Sequence, residues 1–166
     1  GDSGAIATAN YTAREFGVKS GLSILSAKQK LKNRTDSAFL PADFEYYSDM
    51  SEKSMNIIKK FADVFEYVGR DEAYLDVTEK AELDFTKASH IAQQIKNEVR
   101  EKTKLTCSVG ISPNKLLSKI ASGYKKPDGL TTITPDKISG FMETLNLGDI
   151  HGIGKKNSAK ISGRRN

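Results

Sequence analysis

The chain has one cysteine among its 166 residues, only two histidines, and no apolar run long enough to cross a bilayer. A lone thiol excludes a disulfide within the chain. Its place inside the apolar run LTCSVGI points to a buried Cys107 in a reducing compartment, hence to a cytoplasmic protein. His90 and His151 lie far apart and have no cysteine partners, which argues against zinc. The opening GDSGAIATAN has neither the basic start nor the apolar middle of a signal peptide, and no repeat or low-complexity tract follows it. With no initiating methionine and an ending, KISGRRN, that adds no apolar face, the expectation is a chain cut at both ends.

What is present is ordinary for a soluble domain: 37% hydrophobic and 28% charged residues, enough for one core, or one core and an incomplete second unit. The formal charge of +5 suits a polyanionic partner, yet such an excess is common in proteins that never meet nucleic acid.

Along the chain, ATANYTAREFGVKSGLSILSAKQKL mixes small residues with a short helical pattern, punctuated by Gly17 and Gly21. Pro41 and Asp43 then open a longer helix with Phe44, Tyr47, Met55, Ile58 and Ala62 at helical spacing. VFEYV and AYLDV are short β-rich runs joined by GRDE, which reads as a hairpin. After Asp84, a capping residue, Ala88, Ile91, Ala92, Ile95 and Val99 line one face of a second helix. LTCSVGI is a buried strand. Ser112 and Pro113 start the helix NKLLSKIASGY, whose apolar side is Leu116, Leu117, Ile120 and Tyr124, and LTTI is a further strand after the turn KKPDG. Helix, hairpin, helix, strand, helix, strand predicts an α+β fold, a mixed or antiparallel sheet carrying helices on one face. Past Pro135 the short amphipathic helix ISGFMETLNL leads into a different unit.

Two stretches carry candidate chemistry. In VGRDEAYLDV, residues 68–77, two adjacent carboxylates, Asp71 and Glu72, converge on one site only if the backbone turns there, since neighbours on a strand face opposite ways. Paired carboxylates suit Mg²⁺, which completes its shell with water and phosphate. The plainer reading is a solvated hairpin tip with Arg70 as counter-charge, and residue type alone favours it. Asp76, on the face of Tyr74, is the weaker ligand candidate. In SVGISPNKLLSKIASGYKKPDG, residues 108–129, a helix N-terminus offers unpaired N–H groups to an anion, and Lys125 and Lys126 supply positive charge suited to a nucleotide triphosphate. An ordinary capped helix with a basic end is the alternative.

DEAYLDV, SVGISPNKLLSKIAS and KPDG in this order closely resemble the palm of the Y-family DNA polymerases, the translesion group. The opening ATANYTAREFGVKSG resembles that family's fingers. The resemblance covers nearly the whole chain and implies fingers over residues 1–42, a ferredoxin-like palm over 43–133, and the start of a helical thumb over 134–166. It implies two Mg²⁺ ions, with Asp71 bridging both and Glu72 binding the one that activates the primer hydroxyl. Thr8, Tyr11, Arg14 and Lys126 match residues that contact the incoming deoxynucleoside triphosphate. GDIHGIGKKNSAKI resembles a helix-hairpin-helix, implying DNA-phosphate contacts from Gly152 and Gly154, with Lys155, Lys156 and Lys160 adding salt-sensitive attraction.

Two departures matter. Gly69 and Arg70 stand where the family has a serine and an apolar residue. The family's first catalytic aspartate and its ribonucleotide gate lie on an N-terminal strand that this chain begins after, and a C-terminal DNA-gripping domain is also missing. The expectation is therefore a DNA-directed DNA polymerase acting in damage bypass on primer-template DNA, represented by an inactive fragment, with a sliding clamp as a possible partner of the missing segment and no membrane association. A non-catalytic DNA-binding module and a nucleotide cyclase are the competing classes; the fingers and helix-hairpin-helix resemblances argue against the cyclase.

Overall fold

The computed structural model describes residues 4–146, which divide into two compact units at the first turn of one helix, Gly1–Phe44 and Glu45–Asn166 by chain limits. Among the described residues no helix is long and apolar enough to cross a membrane.

The first unit holds two short helices, α1 (Tyr11–Glu15) and α2 (Ile24–Lys30). Each starts at a residue whose side chain accepts a backbone N–H: Asn10 from Ala13 at 2.8 Å, Ser23 from Ser26 at 3.1 Å. After α1 the chain reverses at Gly17, whose φ of +78° is the left-handed conformation that ends helices, and the Val18 N–H reaches back to the Ala13 carbonyl. Val18, Ala27 and Leu31 form the core of this unit, with Ile6, Ala9, Ala13 and Leu22 packed around them.

The second unit begins with α3 (Phe44–Ile58), continued by a 3-10 turn, then the hairpin β1 (Val64–Gly69) and β2 (Glu72–Asp76). Helix α4 (Phe85–Thr103) follows, capped by Asp84, which accepts N–H bonds from Thr86 and Lys87. Next come β3 (Val109–Ile111), α5 (Lys115–Tyr124), β4 (Leu130–Thr132) and α6 (Ile138–Glu143). The α+β order expected from the sequence is present. The described strands form two pairs, however: β1–β2 antiparallel and β3–β4 parallel.

One face of the hairpin is fixed by apolar burial. Ile57 of α3 and Ile95 and Val99 of α4 form a cluster that also takes in Ile91, Phe61 and, from β2, Leu75. Fully burying an aliphatic side chain, as Ile57, Ile95 and Val99 are buried here, contributes about 1.5–3 kcal/mol. Because side chains alternate along a strand, Leu75 facing the helices turns Glu72, Tyr74 and Asp76 to the opposite face. Asp76 is exposed there, its Oδ1 accepting the Thr78 N–H at 2.9 Å; bonds from Thr78 hold its carboxyl below the usual range.

The second pair is held by close backbone approach. A Cβ on Gly110 would stand 2.1 Å from the Ser118 carbonyl oxygen and 2.4 Å from the Ser122 nitrogen, so only glycine lets α5 lie this close to β3. Leu117, Ile120 and Ala121 are the buried face of α5.

Several expectations need correction. Phe44 is 62% exposed and Tyr47 43%, so the buried face of α3 comes from its C-terminal half, through Met55 and Ile57. Ala62 is buried beyond the helix. On α5 Leu116 and Tyr124 are exposed and Ala121 takes the buried place. The expected strand LTCSVGI shortens to three residues, and Cys107, outside it, is half-buried, its thiol pKa raised by desolvation. The cap of α5 is Asn114, not Ser112; Ser112 instead donates its hydroxyl to the Asn114 carbonyl at 2.6 Å.

Candidate active site

The hairpin turn falls where the two acids stand. Gly69 pairs with Glu72, leaving Arg70 and Asp71 as the two turn residues, and a bulge between Tyr67 and Gly69 shifts the register just before them. The backbone thus turns at Asp71, as convergence of the acids requires. Gly69 is not sterically required for this, because a Cβ there would meet nothing within 4 Å. The turn is braced from α3: Ser51 donates its hydroxyl to the Arg70 carbonyl at 2.5 Å, and Ser51, Met55, Tyr67 and Arg70 line an open groove of about 250 Å³ on that side.

On the other face the hairpin meets two lysines of α5. Lys119 Nζ pairs with Glu72 Oε1, both side chains part-exposed at 25% and 42%. One helical turn earlier, Lys115 pairs with Glu66 and lies 5.5 Å from the centre of the Tyr74 ring. Glu66 and Tyr74 are cross-strand partners, which places both on the face of Glu72. Lys119 is therefore a protein cation beside Glu72. Sequence reasoning missed it, although Lys115 and Lys119 stand four apart on the side of α5 away from Leu117, Ile120 and Ala121, a spacing that was legible.

Among the described residues no group of three or more His, Cys, Asp or Glu side chains is placed to hold a metal. The donor set at the tip nevertheless fits Mg²⁺. Asp71 is exposed, both acids offer hard oxygen ligands, and this ion is bound through one or two carboxylates with water and phosphate filling the other positions.

In the first unit Tyr11 and Arg14 are brought together, the guanidinium 5.3 Å from the centre of the Tyr11 ring, and Arg14 Nε donates to the Ala9 carbonyl at 2.8 Å. Both are exposed, as is Thr8. In the second unit Lys126 is exposed in the turn between α5 and β4. That turn is tight, a Cβ on Gly129 standing 2.3 Å from the Lys125 carbonyl oxygen, and its Asp128 has φ +51°. Asp128 is gripped by Lys96 of α4, whose hydrogen bond holds the carboxyl below its ordinary pKa. Gly152, Gly154, Lys155, Lys156 and Lys160 lie outside the described residues.

The sequence pattern of the impB/mucB/samB family matches residues 1–123. A DNA polymerase IV of Nitrosopumilus maritimus is 66% identical over 162 residues, spanning 98% of this chain and 44% of the relative. DNA polymerase IV 1 of Methanosarcina mazei is 42% identical over 164 residues, again 44% of the relative. Among solved structures, DinB from Sulfolobus solfataricus superposes with a TM-score of 0.92 at 40% identity, covering 99% of this chain and 48% of that one. An insertion ternary complex of Dbh DNA polymerase matches with a TM-score of 0.92 at 40% identity, covering 98% and 46%. The chain thus spans less than half the length of the proteins it matches.

Proposed function

The chain belongs to the impB/mucB/samB family, and on that premise we propose that it forms the fingers and palm of a translesion DNA polymerase, which extends a primer along damaged template using deoxynucleoside triphosphates. Its relatives bear the name DNA polymerase IV, and its fold is that of DinB and Dbh. The observation that carries the reading is the hairpin tip: the chain turns at Arg70 and Asp71, and the next residue, Glu72, pairs with Lys119 on the face away from the apolar core.

Asp71 and Glu72 hold Mg²⁺ in this reading. Metal bound there would supply Lewis acidity to the phosphoryl group being transferred. The chain's own groups bind and orient. Thr8, Tyr11 and Arg14 are the candidate triphosphate contacts of the first unit and Lys126 is that of the second, an arginine suiting the planar geometry of phosphate oxygens and a lysine acting as a point charge. Lys119 balances the charge of Glu72 before a metal arrives. Charge placement of this kind is the main contribution a protein makes to phosphoryl transfer. Gly152, Gly154, Lys155, Lys156 and Lys160 grip DNA phosphates without reading sequence. Domain limits at 1–42, 43–133 and 134–166, a cytoplasmic setting and a clamp contact made outside this chain complete the reading.

Primer extension by the full-length polypeptide carrying this chain tests it. Asp71→Ala is expected to reduce Mg²⁺-dependent extension by about 10³-fold or more while leaving DNA affinity nearly unchanged. Retained extension would remove the metal assignment. DNA binding with no extension by the unsubstituted polypeptide under any divalent ion would favour a non-catalytic binding module.

A further inference from the structure

Lys96 is the one charged side chain on the buried stripe of α4, 8% exposed among Ala88, Ala92, Ile95 and Val99. A buried ammonium is costly unless its three N–H donors are all used. Here they are: Nζ donates to the Cys107 carbonyl at 2.7 Å, to the Asp128 carbonyl at 2.8 Å and to Asp128 Oδ1. One helical turn along, Arg100 approaches Asp128 Oδ2 at 3.9 Å. The same turn is tied to the start of β3 by two further bonds, Gly129 N–H to Ser108 Oγ at 3.1 Å and Val109 N–H to the Gly129 carbonyl at 2.9 Å. Lys96 thus spans from the entry of β3 to the turn and engages both backbone and side chain of Asp128, a residue held in the left-handed conformation. A surface turn needs no buried ammonium to close. Investing one here fixes the backbone two residues from Lys126, whose own side chain is exposed.

We propose that Lys96 is a positioning residue for the incoming nucleotide, which fixes the 125–129 turn through Asp128 and so holds Lys126 ready for the triphosphate. This rests on the assignment of Lys126 made above. A lysine that must find a phosphate from a mobile turn loses part of its binding energy to ordering; a clamped one does not.

The test is a double-mutant cycle on nucleotide kinetics in the full-length polypeptide carrying this chain. Lys96→Met is expected to raise KM for the incoming deoxynucleotide by about tenfold, with kcat changed by less than about threefold and DNA affinity unchanged. Lys96→Arg should recover part of the loss. Lys126→Ala should raise KM similarly, and the double variant should be no worse than Lys126→Ala alone, because both act through one contact. If Lys96→Met does not fold, Asp128→Asn, which leaves Lys96 its two carbonyl partners, should give the same non-additive pattern at smaller size. A Lys96→Met or Asp128→Asn protein with lowered melting temperature but unchanged KM would overturn the proposal, as would effects that multiply with Lys126→Ala. An unchanged KM in Lys126→Ala itself would remove the nucleotide assignment and this inference with it. A positive Lys126→Ala result beside an inert Lys96→Met removes this inference alone.

Discussion

The hairpin turn at residues 70–71 and the turn at 125–129 both display candidate charges, but they are secured by opposite means. At the hairpin, Glu72 meets Lys119 through side chains that are 42% and 25% exposed, on the face turned away from the core. At the second turn, Asp128 is held by a lysine that is 8% exposed and uses all its donors. The contrast fits the roles proposed for the two turns. A carboxylate that takes up a metal must be able to exchange its partner, so a part-solvated ion pair worth about 0–1 kcal/mol suits it. A lysine that meets phosphate keeps its charge throughout and gains from a backbone that does not move.

Four substitutions probe that difference. Glu72→Ala should show the largest effect, on the order of 10²–10³-fold in extension rate, with little change in melting temperature because its pair with Lys119 is part-exposed. A large loss of stability would mean that the hairpin tip is structural after all. Gly110→Ala attacks the rigid side: its methyl would collide with the α5 backbone, and thermal unfolding should register a loss of about 1–3 kcal/mol or more. Unchanged unfolding would show that β3 and α5 give way easily. Lys119→Met removes the cation competing for Glu72, and the Mg²⁺ concentration for half-maximal extension should fall by about two- to fivefold. A rise instead would make Lys119 a support for the metal site. The smallest effect is in acid. Lys96 lowers the Asp128 pKa below the ordinary 3.8, so the stability this pair contributes is complete above that pH and is lost as pH falls through the lowered folded value. Asp128→Asn should therefore flatten the acid limb of a stability–pH curve, and an unaltered limb would mean that the pair adds nothing there.

Much of this was legible in the sequence. Asp84 as a cap, the stripe Ala88, Ala92, Ile95 and Val99, and the hairpin with its turn at the acids all follow from local rules, and all are present. The misreadings arise where tertiary packing decides. Phe44 and Tyr47 have helical spacing, but it does not specify whether anything covers them, and they are exposed. Tyr124 and Leu116 lose their expected places to Ala121 because the glycine at 110 brings the helix backbone so near β3 that a small side chain fits best at the contact. Of the candidate site, the backbone turn at the two acids and the nearness of Tyr11 to Arg14 were readable. Lys119 and Lys96 were not read. Lysine is taken as a surface residue by default, and finding these two required asking why a charge stands on, or beside, an apolar stripe.

The most direct measurement is the crystal structure of the full-length polypeptide with primer-template DNA, a non-hydrolysable deoxynucleotide and Mn²⁺ in place of Mg²⁺, located by its anomalous signal. The account predicts metal peaks about 2.0–2.2 Å from carboxylate oxygens of both Asp71 and Glu72, with Lys119 displaced from Glu72. Metal bound elsewhere, with Glu72 still paired to Lys119, would contradict it.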